Sequence, residues 1–341
     1  MMEADWPNAL KPLNTSSSSA LLSTTTTLSP NLSCPPHLEN TKGANDCLSP
    51  NVRAALVLLF AILNAVGLAM NLFLIAYILL RRLYRNFVSS HFIAHLSLTN
   101  AIALIYLLPI FLWNFAHDRD LFQDYPAICR AHAFLTCAIW SVICYMTTCV
   151  AGVHLLTFAR IHYDQLFGLP PSVICVLSWV IGASLGLPCL TNTDIARYDP
   201  LYHHCLWGYT MNGYKFLAYI VLLGVVLPLM MTMYSYIRVL GIFYHSPIVF
   251  QALGLYKSRF LVYGLLLMAF CQVPFYSSRF FSEVDPLVHP LTMFAAYAMC
   301  IMHAPLFGAS LFLMKEEDMA LTARAHRTTY TQPGLLPPQE L

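Results

Sequence analysis

Histidines supply the first chemistry to weigh in this sequence. His91 and His95 stand four apart, which puts two imidazoles on one helix face at a true metal-ligand spacing. His154 and His303 fall at similar depth in other apolar stretches, which raises a zinc hydrolase with its metal held between helices. Such an enzyme also needs a general acid or base beside the metal. No Asp or Glu lies in any apolar stretch, and thirteen histidines make chance pairs common. A Gly-rich phosphate loop, a Gly-x-Ser-x-Gly elbow and a basic tract for nucleic acid are all missing. The chain therefore reads as a non-enzyme, without cofactor, metal or nucleic-acid partner.

Any group that does chemistry here must be positioned by apolar helices. Seven stretches qualify: Ala54–Leu80, His91–Phe115, Cys129–Tyr163, Pro171–Leu190, Tyr214–Phe243, Arg259–Phe281 and Leu287–Leu313. At ~1.5 Å per residue each can cross a ~30 Å hydrocarbon layer. The chain is 58% hydrophobic and 10% charged, against about 25% charged for a soluble domain. That leaves too little polar surface to cover a water-soluble fold. A carboxylate in lipid costs at least ~2.5 kcal/mol, which explains why every Asp and Glu sits in a terminus or a loop. The fold expected is an all-α membrane protein, a seven-transmembrane helix bundle. Pro109, Pro188, Pro228, Pro274 and Pro305 are tolerable inside it because neighbouring helices and water can satisfy the freed carbonyls. Most of the eleven cysteines lie in apolar stretches, as small packing residues.

Residues 1–52 are polar and rich in Ser, Thr and Pro, and read as a disordered tail. Asn14 and Asn31 open glycosylation sequons there, while the pairing of Cys34 and Cys47 stays open. The loops after the first and fifth stretches carry +3 each; those after the second and fourth carry −2 and −1. By the positive-inside rule the N-terminus is extracellular, the side on which the sequons could be used. Cys129 and Cys205 then both face the oxidising side, where a disulfide is expected. The divisions expected are a glycosylated extracellular tail (1–52), a transmembrane domain (53–314) and a cytoplasmic short helix with its tail (315–341). Lys315–Arg327 opens on Glu316-Glu317-Asp318, an acidic start that suits a helix N-terminus through the macrodipole.

Seven spans, this orientation and the Cys129–Cys205 pair resemble the rhodopsin-like (class A) G-protein-coupled receptors over about residues 50–325. Asn71 in GLAMN resembles the family's Gly-Asn, and HLSLTN its leucine-rich run, with Asn100 replacing the terminal Asp. Trp179, Pro228 with Tyr236, Cys271 with Pro274, and Pro305 follow in order. Phe122 stands where the family often has an outer-loop Trp. Pro109 and the PFYSSR run are most similar to the branch of nucleotide, lipid and other acid receptors and its orphans. The resemblance implies a multi-pass plasma-membrane receptor that passes the signal of an extracellular ligand to a heterotrimeric G protein, with Lys315–Arg327 as a short helix along the inner membrane face.

Four elements depart from the pattern. The family's Asp-Arg-Tyr falls on Val153-His154-Leu155, its Cys-Trp-x-Pro on Cys271-Gln272-Val273-Pro274, and its Asn-Pro-x-x-Tyr on Ala304-Pro305-Leu306-Phe307-Gly308. Asn100 removes the acid of the family's sodium site. A decoy or partner receptor that does not signal itself is the alternative these losses support. The resemblance also implies the ligand set. Arg279 would face the outer cavity and Arg130 the same vestibule, a pair suited to a small anion or acidic lipid. Tyr276, Trp113, Tyr106, Trp140 and Phe294 would line the space below. The competing reading pairs Arg279 with Glu283, lets Arg130 snorkel to membrane lipid headgroups, and leaves the aromatics as packing or interface belts.

Overall fold

The computed structural model describes residues 49–117, 122, 125–163, 168–199, 204–208, 210–245, 258–280 and 288–330, the last eighteen of these by backbone alone. Asn14, Asn31, Cys34, Cys47 and Glu283 lie outside the described residues. Among the described residues seven helices are long and apolar enough to cross a membrane: α1 (Pro50–Leu80), α2 (Val88–Ala116), α3 (Pro126–Phe158), α4 (Pro171–Thr191), α5 (Met211–His245), α6 (Arg259–Ser278) and α7 (Val288–Phe312). The chain is thus a mainly helical, multi-pass membrane protein. A short antiparallel hairpin, β1 (Ala196–Asp199) with β2 (His204–Trp207), follows α4 and pairs Tyr198 with Cys205.

Local chemistry sets the helix ends. Prolines open α1, α3 and α4 at the first turn, where a missing N–H costs nothing. Thr210 caps α5 by accepting from the Gly213 amide at 3.0 Å. The α3 helix was expected to run to Tyr163 but stops at Phe158. There Ile161 N–H reaches back to the Leu156 carbonyl (2.9 Å) and Arg160 N–H to Thr157 (3.1 Å), with Arg160 at φ 57°. This is the left-handed helix stop that glycine usually supplies.

The internal prolines act on their own turns. Pro109 and Pro228 each follow a π-helical segment, Ala103–Leu107 and Val221–Val226, that contains the carbonyl four residues earlier. The wider turn makes room for the ring, which would otherwise clash with that carbonyl. Ahead of Pro274, α6 breaks between Met268 and Val273. Past the membrane span, α7 continues without interruption to Tyr330. The backbone stays helical through 313–330, where neither Gly nor Pro occurs between Gly308 and Tyr330 to stop it.

The core centres on α3, whose Trp140 is 1% exposed and meets Phe275, Tyr276 and Tyr297 at ring distances of 5.0, 6.0 and 5.8 Å. Gly182 and Gly186 let α4 lie directly on it. A Cβ at Gly182 would sit 2.7 Å from the Ala138 carbonyl oxygen, and one at Gly186 2.8 Å from that of Phe134. Small residues four apart are the usual means of bringing two helices together in lipid.

Candidate functional site

The bundle has two chemically distinct ends. One carries the hairpin; the other carries Arg81, Arg82, Arg85 and Arg160. At the hairpin end a Cys129–Cys205 disulfide, Cα atoms 5.3 Å apart, ties the first turn of α3 to β2. That bond brings its neighbours together. His132 lies one turn below Cys129 and His204 immediately precedes Cys205, and their Nε2 atoms are 3.4 Å apart, one ring donating to the other. His289, at the start of α7, lies 5.7 Å from the His204 ring and accepts from Arg279 Nη2. All four side chains are buried. Phe111, Phe122 and Phe275 pack around the three imidazoles. His132 Nδ1 and His204 Nδ1 have no hydrogen-bond partner. Burial, then the nearby His132 and Arg279, holds the His204 imidazole well below its ordinary range.

Of the residues picked for a ligand site, Arg279 is buried against His289, whereas Arg130 lines a separate cavity of about 180 Å³ with Phe122, Arg197 and Tyr198. None of the described cavities is lined by both arginines. Trp140 and Tyr276 meet in the core, and Trp207 of the hairpin stacks on Tyr276 at 5.8 Å. Phe294 packs against Phe60 and Phe111, and Tyr106 against His132. Trp113 does not join them: it is half exposed and stacks on His117 at 4.1 Å. The π turn at Ala103–Leu107 inserts an extra residue ahead of Trp113 and turns the helix face beyond it. His132, His204, His289 and Phe111 were not singled out. The signal was there, because residues flanking two bonded cysteines must meet.

At the arginine end the contacts of α3 through His154 are weaker, although Arg259 Nη2 donates to the Phe243 carbonyl and Tyr244 bonds Tyr263 between α5 and α6. His154 is 3% exposed, its ring 6.2 Å from Tyr236 of α5 and 6.3 Å from Phe307 of α7. Neither His154 Nε2 nor the Tyr236 hydroxyl has a hydrogen-bond partner. Deeper in, Asn100 donates to Asn71 Oδ1 at 3.4 Å and to His303 Nδ1 at 3.3 Å. Asn71 in turn donates to the carbonyls of Gly67 and Cys300. Cys144 donates to Gln272 Oε1 at 3.2 Å, linking α3 to the break in α6. His91 bonds the Tyr84 carbonyl at 2.8 Å, away from His154 and His303. Among the described residues no three His, Cys, Asp or Glu side chains converge as a metal site. No protein-family model matches the chain, and no curated protein matches it. Its class therefore rests on the seven apolar spans: a multi-pass membrane protein.

Proposed function

We propose that the chain is a plasma-membrane receptor of the rhodopsin-like G-protein-coupled kind, with its N-terminus and hairpin outside and the arginine end in the cytoplasm. The observation that carries this reading is His154, wedged at the cytoplasmic end of α3 between Tyr236 and Phe307. Ring contacts alone link α3 to α5 and α7 through this side chain, so a modest bias can separate them. The hairpin end, by contrast, is covalently clamped. A ligand at the outside would act on α6 and α7 through Arg279 and His289, and the break at Gln272 would let the inner part of α6 swing. A small anionic or acidic-lipid ligand suits Arg279 and Arg130; reaching both requires the hairpin to move, because it lies over Tyr276 in the present arrangement. A heterotrimeric G protein would dock where His154 and Tyr236 separate.

The second reading, a decoy or partner receptor that does not signal, is favoured by His154 itself, which offers no guanidinium to a G protein. Resonance-energy-transfer measurements of G-protein activation, across all classes and at matched surface expression, separate the two for wild type and His154→Arg. Activation by wild type above an empty-vector control supports the signalling receptor. Activation by His154→Arg alone means the fold is competent and the histidine silences it. Silence from both moves the weight to the decoy or partner.

A further inference from the structure

Two cavities at the arginine end adjoin each other, one almost wholly apolar and one with a mixed, partly polar wall. The larger, of about 530 Å³, lies among α2, α3, α4 and α5 and is almost wholly apolar. Its volume is in the ~300–1,000 Å³ range of ligand pockets. Two hydroxyls on its wall are occupied: Thr148 donates to the Pro228 carbonyl and Ser235 to that of Met231. Met230 and Tyr234 on its rim are each 63% exposed, so it opens sideways on the flank of α5, a helix apolar and long enough to cross a membrane. Gly152 forms part of the wall, and a Cβ there would meet nothing within 4 Å. The second cavity, of about 440 Å³, shares Val153, Leu156 and Tyr163 with the first and adds polar groups, Asn86, Thr157, Arg160 and His162, among the apolar Phe87, Val88 and Ile161. Arg160 is held at this mouth by the left-handed turn that ends α3.

An apolar trough alone would only be filled by bulk lipid, because inside a membrane there is no hydrophobic gain in moving a chain from lipid to protein. Selectivity has to come from the polar mouth. A cation at the end of an acyl-sized trough fits an amphiphile with an anionic head, drawn from the leaflet on the arginine side. We propose that this paired cavity is a binding site for an anionic phospholipid, with its chain along Gly152 and its head on Arg160. The site is separate from any ligand at the hairpin end and stands whether or not the receptor reading does.

The test uses the full chain reconstituted with equal amounts of dioleoyl-phosphatidylserine and dioleoyl-phosphatidylcholine, with retained lipid counted by native mass spectrometry. Wild type should retain the serine lipid about fivefold over the choline lipid, the contribution of one basic residue near an anionic leaflet. Arg160→Gly should bring the ratio to parity and still fold, since glycine suits the left-handed backbone. Gly152→Leu fills the trough and should lower retention of both lipids about tenfold, while Gly152→Ala should leave it unchanged. Should the leucine variant fail to fold, the Arg160→Gly ratio decides alone. Equal retention of the two lipids by wild type, an unchanged preference in Arg160→Gly, or full retention by folded Gly152→Leu would each overturn the proposal.

Discussion

The closeness of α3 and α4 makes a sharp prediction at Gly182. A single methyl there would lie 2.5 Å from Val142 Cγ2 and 2.7 Å from the Ala138 carbonyl oxygen, both inside contact distance. The carbonyl is backbone within α3 and cannot turn away, and valine is stiff at χ1. Relief must come from pushing the helices apart, which costs about 1–3 kcal/mol for overpacking of this kind. Replacing glycine also adds up to ~1 kcal/mol of helix propensity, which would mask part of the loss. Gly152→Ala is the matched control: it gains the same propensity, but its methyl enters open space. The difference between the two variants therefore isolates the clash. At about 2–4 °C per kcal/mol, Gly182→Ala should unfold roughly 2–12 °C below Gly152→Ala. A thiol-reactive fluorophore can follow this, because Cys137, Cys175, Cys189 and Cys300 are free and buried until the bundle opens. One scan rate must serve all variants, since membrane-protein unfolding is commonly irreversible. If Gly182→Ala melts at or above the temperature of Gly152→Ala, the glycine contact is not what holds α4 to α3.

Two further predictions concern buried polar groups. The folded His204 imidazole titrates below its unfolded value, so the unfolded chain takes up the proton first. Stability is then full above about pH 6.5 and falls below it, by at most ~1.4 kcal/mol per pH unit for this group. His204→Gln should flatten the loss of melting temperature between about pH 7.5 and about 5.5; an equal slope in both proteins would show that His204 is not the group responsible. Asn114 is buried in α2 with no hydrogen-bond partner for either amide atom. Asn114→Leu should therefore raise the melting temperature by removing an unmet demand of about 1–3 kcal/mol, and a fall would mean that something not seen here satisfies the amide.

The seven spans were legible because one strong physical term, the cost of charge and of open backbone in lipid, writes itself into hydropathy over twenty residues at a time. The Cys129–Cys205 bond was legible because charge bias placed both cysteines on one side. Features decided by a single residue's geometry were not. Arg160 gives no warning in sequence that it will take a left-handed backbone and stop α3 five residues short of Tyr163. The π turn that rotates Trp113 outward has no composition signature beyond Pro109 nearby. Gly182 and Gly186 stand in plain view in GASLG, yet their role appears only when α3 is known to be the opposing surface. The Arg130–Arg279 vestibule assumed that two basic residues on one side would share a space. Arg279 instead sinks to 4% exposure against His289, and Arg130 faces the hairpin.

These contacts divide the bundle mechanically. At its hairpin end α3 is bonded covalently to β2, and along α4 it is fitted to glycines that leave no room for sliding. At its arginine end, His154 touches α5 and α7 through rings more than 6 Å apart, without a hydrogen bond from Nε2. The break in α6 lies between these regions, and Cys144 to Gln272 is a weak thiol bond across it. A force applied near Arg279 thus meets a stiff frame on the α3–α4 side and a looser contact where α3 meets α5 and α7 at His154. The inner ends of α5 and α6 are meanwhile tied to each other by Arg259 to the Phe243 carbonyl and Tyr244 to Tyr263. On the receptor reading proposed above, that asymmetry would set the direction of movement without the arginine, tryptophan and tyrosine of the receptor pattern that the sequence resembles. Replacing His154 by arginine then tests the chemistry of docking, while the hinge beneath it stays as it is.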